Sequence, residues 1–281
     1  MSILDGRQVK IQILKELKEK LLKLNESIGL VVIQIGDDAA SSVYVRQKNK
    51  MAADLNYKFQ HIKLPSNIKE DELLKIIENL NNDDVVDGIL VQMPIPKHLD
   101  ANKVQNSILS CKDVDGLTDI NAGMLVHNKD GLIPCTPMGI IDLLDHYNIP
   151  IEGKNVVIIG RSNLVGKPLA NLMTNKNATV TLCHSKTNNL PFYTNNADIL
   201  VASVGIPNFI TEDMVKPGAI VIDVGINRLP DGSLCGDVDF TNVKEKASYI
   251  TPVPGGIGQM TVAELAVNTY KAHILKKDLT K

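Results

Sequence analysis

The chain has 281 residues, of which 44% are apolar and 22% charged, a mixture typical of a folded globular protein rather than a disordered one. Its net charge of −2 provides no basic field for nucleic acid or an anionic membrane. Aromatic residues make up only 4% and tryptophan is absent, which argues against base-stacking platforms. The length suits one large domain or two modest ones.

The four cysteines, at positions 111, 135, 183 and 235, form no metal-ligand spacing, so we expect reduced thiols and no metal site. No run approaches the roughly 20 apolar residues of a membrane span. The N-terminal segment begins a Lys/Glu-rich amphipathic helix rather than an apolar signal core. A cytoplasmic protein is therefore expected, without nucleic-acid or membrane partners.

Strands and helices alternate in the first half of the predicted fold. Apolar residues at 11, 14, 17, 21 and 24 share one face of a helix predicted over 8–24. Apolar β-branched runs predict strands at 30–35, 59–64 and 85–91, and helices are predicted at 41–55 and 69–80. This order favours a parallel sheet covered by helices. The proline-rich stretch 93–137 is interpreted as loops and short helices.

A second unit follows a helix predicted over 138–147. Strands are expected at 155–159, 178–182, 199–203 and 219–223, with a helix at 165–174, which is a Rossmann-type pattern. A final helix over 260–276 is expected to pack back on the first domain. The sequence thus predicts an α/β protein of two domains.

The loop that joins strand and helix at 160–168 is a candidate dinucleotide site. Gly160 allows close backbone approach, and a helix N-terminus offers free N–H groups to a pyrophosphate. A P-loop is excluded, because five residues rather than four separate Gly160 from Gly166 and Pro168 occupies the hydroxyl position. Ser162 replaces the second glycine of the plain G-x-G-x-x-G fingerprint, so this loop is a variant, and a bare structural turn is the alternative.

Cofactor choice is read from the end of the next strand. NAD-binding units place Asp or Glu there, about 20 residues past the loop, to bind the ribose 2′-OH. Here the strand ends in Cys183-His184-Ser185-Lys186, without a carboxylate. Ser185, Lys186 and Arg161 suit a 2′-phosphate, so NADP is predicted over NAD. The alternative is that Ser185 and Lys186 form an ordinary solvated turn.

Candidate reactive residues lie in the first half. Tyr44 and Lys48 are four apart on a predicted helix and share a face, where Tyr44 offers a flat surface and Lys48 a proton donor or base. Gln92 follows a buried strand, at the edge where ligands bind. For Tyr44 and Lys48, the alternative is an exposed lysine packed beside a half-buried tyrosine. For Gln92, the alternative is a structural amide.

Two further segments carry candidate ligand-binding groups. Asp115 can accept hydrogen bonds from an amino-heterocycle, or form a simple Asp-Gly turn. A calcium loop is excluded there, because the glycine and glutamate required by an EF-hand are missing. The segment Pro254-Gly255-Gly256 precedes a helix, so its N–H groups are available to a ligand.

Taken together, these segments resemble the bifunctional methylenetetrahydrofolate dehydrogenase/cyclohydrolase family. They follow the family's order over nearly the whole chain. The matching stretches are Tyr44-Val45-x-x-Lys48-x-Lys50, Val91-Gln92-x-Pro94-x-Pro96, Lys112-Asp113-Val114-Asp115-Gly116, Pro134-Cys135-Thr136-Pro137-x-Gly139, Gly160-Arg161-Ser162-x-x-Val165-Gly166-x-Pro168, Cys183-His184-Ser185-Lys186-Thr187, Asp223-Val224-Gly225-Ile226-Asn227, Gly236-Asp237-Val238 and Thr251-Pro252-Val253-Pro254-Gly255-Gly256.

The resemblance implies a homodimeric enzyme of one-carbon metabolism and purine biosynthesis. It would oxidise 5,10-methylenetetrahydrofolate with NADP and hydrolyse the methenyl product to 10-formyltetrahydrofolate. Residues 1–138 with 262–281 would form the folate-binding catalytic domain, and 139–261 a Rossmann-type NADP-binding domain, the two flanking a cleft.

The resemblance also assigns roles to residues. Lys48 would be central to catalysis, supported by Tyr44 and Gln92, while Asp115 would hold the pterin. Substrate would also contact Pro254, Gly255 and Gly256. The cofactor-binding residues it implies are Gly160, Arg161, Ser162, Ser185, Ile226 and Thr136.

The chain departs from the family pattern at two places. Gln259 stands where the family has proline after the glycine hinge, which affects local loop geometry near the substrate. Residues 51–56 lack the family's Glu and Gly, at a helix end. Two other hypotheses are an NADP dehydrogenase without hydrolase activity and a non-catalytic folate- or nucleotide-binding protein. The presence of Lys48 and Gln92 argues against both.

Overall fold

The computed structural model describes residues 1–279. The helices in this part are α1 (Gly6–Leu24), α2 (Ala39–Asp54), α3 (Glu70–Asn81), α4 (Ala101–Asn106), α5 (Asp119–Val126), α6 (Cys135–His146), α7 (Gly166–Asn175), α8 (Leu190–Thr194), α9 (Phe240–Val243) and α10 (Ile257–Leu279). The strands are β1 (Ser2–Ile3), β2 (Gly29–Ile35), β3 (Lys58–Leu64), β4 (Gly88–Val91), β5 (Asn155–Ile159), β6 (Thr179–Cys183), β7 (Ile199–Ala202), β8 (Ile220–Asp223), β9 (Asn227–Arg228), β10 (Leu234–Cys235) and β11 (Tyr249–Ile250).

The chain divides into two compact units, each made of two segments. The six-stranded unit comprises Met1–Gln12 and Thr136–Thr261, and the three-stranded unit comprises Ile13–Cys135 with 262–279. Residues 1–12 belong with the larger sheet because β1 pairs in parallel with β11, whereas the predicted ligand domains place them with the folate-binding segment. The last two residues of that predicted domain lie outside the described part of the chain.

The three-stranded unit is a parallel sheet in the order β3-β2-β4. Strand β2 is buried along its whole length because helices cover both of its faces. Leu30 and Val32 point into a core shared with α1, α2 and α10, while Val31 and Ile33 point into a second core with α3 and α4. The expected packing of the final helix on this unit is confirmed, since Leu265 and Ala266 belong to the first of these cores.

The six-stranded unit is a parallel sheet in the order β1-β11-β8-β7-β5-β6, with a separate antiparallel pair, β9 and β10. From β5 the chain passes to the edge strand β6 and then returns to β7 on the other side. The order therefore reverses between β5 and β7. In doubly wound sheets a ligand binds at this reversal, outside the carboxyl ends of the strands.

The prediction that Ile11 belongs to the apolar face of α1 is wrong. Ile11 is 70% exposed, whereas Leu17 is buried and Leu14, Leu21 and Leu24 are partly buried against the core. Ile11 lies in the part of α1 that belongs to the six-stranded unit, whereas the other four residues of this face belong to the three-stranded unit. Within residues 1–279, no helix is long and apolar enough to cross a membrane.

Candidate active site

Lys48 and Gln92 form a hydrogen-bonded pair in the three-stranded unit. Lys48 is only 8% exposed on α2, and its Nζ donates to Gln92 Oε1 at 2.7 Å. Gln92 in turn donates from Nε2 to the carbonyl of Met93 at 2.8 Å, which fixes the amide with its oxygen towards the lysine. The contact brings together two of the predicted site residues, and the burial of Lys48 excludes the alternative of an exposed lysine.

Local structure explains where both side chains come from. Helix α2 begins after Asp38, whose carboxylate accepts the N–H of Ser41 at 2.6 Å and caps the helix. Gln92 follows β4, and its N–H continues the sheet ladder by donating to the carbonyl of Ile33 at 2.8 Å. Lys48 therefore projects from a capped helix towards the carboxyl end of a buried strand.

The charge environment of Lys48 changes its acidity. Burial lowers the pKa of Lys48 below that of an exposed lysine, while the charges of Asp115 and Cys135 oppose this shift. Burial also raises the pKa of Asp115; the charge of Lys48 opposes that rise and the charge of Asp113 adds to it. Lowering the pKa makes the neutral amine of Lys48 more accessible than that of an exposed lysine, and the neutral amine is the form that can accept a proton.

Tyr44 lies one helical turn before Lys48 on α2. It is half-buried, and burial raises the pKa of its hydroxyl, so the phenol stays neutral. A partly exposed aromatic ring beside a buried lysine can offer a flat apolar surface to a ring system.

Sequence reasoning did not identify Cys135 and Asn268 as members of this site. Cys135 is buried, and its thiol donates to the carbonyl of Val114 at 3.3 Å and helps to set the pKa of Asp115. Asn268 on α10 donates to the carbonyls of Val114 and Ile133 at 3.0 and 2.7 Å. The Pro-Cys-Thr-Pro motif was a signal that could have identified Cys135, whereas no pattern in the sequence of α10 distinguishes Asn268 from a surface amide.

Asp113 anchors the segment that carries Asp115. Its Oδ2 accepts the N–H of Thr118 at 2.7 Å and the amide of Asn121 at 2.9 Å, and its Oδ1 accepts Gln105 Nε2 at 3.1 Å. Asp113 also forms a parallel β-bridge with Ile89 of β4. These contacts hold the Asp115 loop at the edge of the same sheet that supplies Gln92.

The predicted substrate residues Pro254, Gly255 and Gly256 lie in the six-stranded unit, ahead of α10. Gly255 has φ +122°, and its carbonyl accepts the N–H of Gly6 at 3.0 Å. A Cβ on Gly6 would lie 2.2 Å from the carbonyl oxygen of Gly256. The start of α1 therefore packs closely against this loop, and there is no room for a side chain at Gly6 between them.

Glycines shape the junction of β5 and α7. Gly160 has φ +120°, and a Cβ there would lie 2.2 Å from the carbonyl oxygen of Ser203. A Cβ on Gly166 would lie 1.9 Å from the carbonyl oxygen of Gly160. Ser162 Oγ accepts the N–H of Val165 at 3.1 Å within the turn, and Arg161 is exposed. The tight turn, the helix N-terminus and the free guanidinium fit a dinucleotide phosphate.

The other predicted cofactor residues lie at different places in the same unit. Ser185 follows β6 in a turn closed by His184 and Thr187, and both Ser185 and Lys186 are exposed there. Ile226 follows β8 and is 44% exposed. Thr136 lies at the start of α6, where its hydroxyl is 2.9 Å from that of Thr261. No carboxylate follows β6 in this turn, as the sequence prediction of NADP requires.

A doubly wound sheet with a glycine turn at its reversal, joined to an α/β unit that holds a buried lysine, defines a dinucleotide-dependent enzyme with a separate catalytic unit. Two family models match the chain: "Tetrahydrofolate dehydrogenase/cyclohydrolase, catalytic domain" over residues 4–115 and "Tetrahydrofolate dehydrogenase/cyclohydrolase, NAD(P)-binding domain" over residues 134–277. The chain belongs to the tetrahydrofolate dehydrogenase/cyclohydrolase family.

Bacterial relatives support the same assignment. "Bifunctional protein FolD" of Campylobacter hominis is 51% identical over 276 residues, covering 97% of each chain, and that of Bacillus subtilis strain 168 is 50% identical over 96% of this chain and 97% of its own. The crystal structure of the bifunctional FolD enzyme from Campylobacter jejuni has a TM-score of 0.96 at 47% identity, covering 98% of this chain and 99% of its own.

A second solved structure is a complex with ligands. The Trypanosoma brucei methylenetetrahydrofolate dehydrogenase-cyclohydrolase, complexed with NADP cofactor and inhibitor, has a TM-score of 0.94 at 34% identity and covers 100% of this chain and 99% of its own. The family, the two-domain α/β fold class and the bifunctional enzyme class predicted from the sequence are confirmed. The individual site residues and the ligand domains stay predictions.

Proposed function

We propose that the chain oxidises 5,10-methylenetetrahydrofolate to the 5,10-methenyl form with NADP and hydrolyses that product to 10-formyltetrahydrofolate. Folate is assigned to residues 1–138 with 262–281, and NADP to residues 139–261. The observation that carries the proposal is the buried Lys48 held by Gln92 in the unit that matches the catalytic family model. Burying a lysine whose hydrogen-bond acceptor is a neutral amide costs free energy, so a reactive role fits Lys48 better than a structural one.

NADP, when bound, supplies the hydride acceptor for the oxidation. The residues of this chain that would hold it are Gly160, Arg161 and Ser162 at the glycine turn, Ser185 after β6, Ile226 after β8, and Thr136. The exposed Ser185 hydroxyl and the absence of a carboxylate in the turn after β6 favour a 2′-phosphate over a free 2′-OH.

The hydrolysis needs a group that manages protons at an electrophilic carbon. Lys48, with its lowered pKa, takes a proton from the water that attacks the methenyl carbon, and the positive charge of the substrate favours the neutral amine further. The C–OH group of the resulting adduct then loses its proton as the carbon's bond to N5 breaks, which leaves a formyl group on N10. Of the two protons from the water, one ends on N5 and the other is released to solvent. Gln92 keeps the amine in place by accepting a hydrogen bond from it.

The remaining substrate contacts follow from the chemistry of the side chains. Asp115 accepts N–H groups of the pterin ring, and Tyr44 packs its ring face on the substrate. Pro254, Gly255 and Gly256 offer backbone groups without side-chain bulk. Positioning of the substrate by these residues accounts for much of the rate, because hydride transfer depends on geometry.

The test is a spectrophotometric assay with methylenetetrahydrofolate and NADP that follows NADPH and methenyl absorbance separately. Lys48→Ala is expected to lower hydrolysis by roughly 10²- to 10⁴-fold, the range for loss of a general acid–base. Lys50→Ala, an exposed lysine on the same helix, is the matched control and should keep wild-type rates. Methenyl hydrolysis near the wild-type rate in Lys48→Ala would reject this role.

We further propose a cytoplasmic homodimer that serves one-carbon metabolism and supplies 10-formyltetrahydrofolate for purine biosynthesis. The family resemblance supports this assembly and setting. Sedimentation equilibrium of the purified chain should then give about twice the monomer mass of 30.7 kDa. A monomer mass at assay concentration would contradict the homodimer.

A further inference from the structure

A fully buried carboxylate, Asp237, lies in the six-stranded unit outside every residue assigned above. Its Oδ2 accepts the backbone N–H groups of Val204 at 2.6 Å and Gly205 at 3.0 Å. Its Oδ1 accepts the N–H of Ile206 at 3.0 Å and Asn227 Nδ2 at 2.9 Å. Three consecutive backbone donors thus converge on one side chain, and this fixes the loop of residues 204–206.

A second buried carboxylate holds Asp237 itself. Asp223, the last residue of β8, accepts the N–H of Asp237 at 2.9 Å, of Gly225 at 2.9 Å and of Val238 at 2.9 Å. Burial raises the pKa of Asp223 to about 6, and the charge of Asp237 adds to that rise. Two buried like charges cost free energy, and these backbone donors offset part of that cost.

The loop that Asp237 holds borders the reversal of the sheet. It follows β7, the strand next to β5, and Ser203 at its start donates to the carbonyl of Ile159 at 2.9 Å. The carbonyl oxygen of Ser203 is the atom that a side chain at Gly160 would strike. The loop therefore forms the wall opposite the glycine turn, at the position where a doubly wound sheet binds its ligand.

We propose that Asp237 is a positioning residue for NADP, which holds the backbone of Val204, Gly205 and Ile206 as the β7 side of the cofactor site. This inference rests on the proposed function, because it concerns the dinucleotide that the dehydrogenase reaction uses. A carboxylate that only satisfied buried N–H groups would affect the stability of the unit without a selective effect on the cofactor.

Asp237→Asn tests the proposal, because it keeps the shape of the side chain but replaces one acceptor with an NH₂ group that faces N–H donors. The KM for NADP is expected to rise roughly tenfold or more, the factor for loss of one charge-assisted hydrogen bond. Hydrolysis of methenyltetrahydrofolate consumes no NADP, so its kcat should stay within about twofold of wild type. Asp239→Asn is the matched control: it makes the same charge change two residues away, and asparagine preserves its helix cap.

A second pair of variants tests the loop of residues 204–206 while leaving Asp237 unchanged. Gly205 has φ +70° and Gly218 has φ +80°, and a Cβ on either meets open space. Gly205→Ala should raise the KM for NADP about fivefold through strain in the left-handed conformation, whereas Gly218→Ala, with the same strain before β8, should not. Gly205→Asn should restore the wild-type KM, since asparagine tolerates this conformation.

The outcomes separate the two proposals. An NADP KM for Asp237→Asn equal to that of Asp239→Asn, or equal changes in Gly205→Ala and Gly218→Ala, overturns the positioning role. A parallel loss of dehydrogenase and hydrolase activity in Asp237→Asn also overturns it, since that result assigns Asp237 to stability alone. Failure of the proposed function is distinct, because the wild-type chain would then lack both activities.

Discussion

Burial and a neighbouring charge act on the pKa of Lys48 in opposite directions. Burial favours the neutral amine, while the charge of Asp115 favours the ammonium. The position of the lysine on the same helix face as Tyr44 was predictable from their spacing, and Gln92 from its place at a strand end. The contribution of Asn268 was not, because it depends on contacts with Val114 and Ile133, more than a hundred residues away in the chain.

Replacing Asp115 should shift the pH profile of hydrolysis. Asp115 raises the pKa of Lys48, so Asp115→Asn should lower that pKa and keep the amine neutral at lower pH. Since hydrolysis needs the neutral amine, the acid limb of kcat against pH should move to lower pH even though substrate binding weakens. Asp119→Asn, which changes an exposed carboxylate at the start of α5, should leave the limb unchanged. An acid limb that stays in place or moves to higher pH in Asp115→Asn would contradict this assignment.

At the scale of elements, the bounds of the long periodic helices and strands were predicted to within three residues, and the two-residue strands were missed. The predicted helix over 69–80 is α3, Glu70–Asn81, and the predicted strand over 155–159 is β5. The strand predicted at 85–91 begins only at Gly88, and Val85 is exposed. β1 and β11 have two residues each, too few for any apolar alternation to show, and they form only because each finds a partner in the sheet.

The junction of β5 and α7 is the element whose geometry most constrains the cofactor. Gly166→Ala would place a methyl group 1.9 Å from the carbonyl oxygen of Gly160, so the turn must open. Dehydrogenase activity should be largely lost through a higher KM for NADP, with hydrolysis of methenyltetrahydrofolate retained. Gly123→Ala, in open space on α5, serves as control and should keep both activities. Equal NADP affinity in wild type and Gly166→Ala would show that the turn does not hold the cofactor.

Over the whole molecule, the alternation of elements predicted two α/β domains, and the sequence also indicated that the last helix returns to the first of them. The assignment of residues 1–12 to the six-stranded unit was not predictable, because it depends on a two-residue pairing of Ser2 and Ile3 with Tyr249 and Ile250. Each unit combines segments from distant parts of the sequence, so a boundary read along the chain cannot describe either one completely.

The return of α10 should be essential to stability. Leu265 is 1% exposed in the core of the three-stranded unit, so Leu265→Ala should cost about 2–5 kcal/mol of unfolding free energy. Leu22→Ala, at a leucine 73% exposed, should change the stability by less than about 0.5 kcal/mol. Urea denaturation followed by circular dichroism gives both values. Equal stabilities for the two variants would mean that α10 contributes little to this core.

A gene fragment that encodes only residues 4–115, the span of the catalytic family model, would omit α10. The translated product would lack Leu265 and Ala266, and the hydroxyl of Tyr57, which donates to the Ala266 carbonyl at 3.0 Å, would lose its acceptor. Such a polypeptide should be prone to aggregation when expressed alone. Anyone wishing to isolate the lysine-bearing unit must therefore extend the fragment to Cys135 and join residues 262–279 to it with a linker.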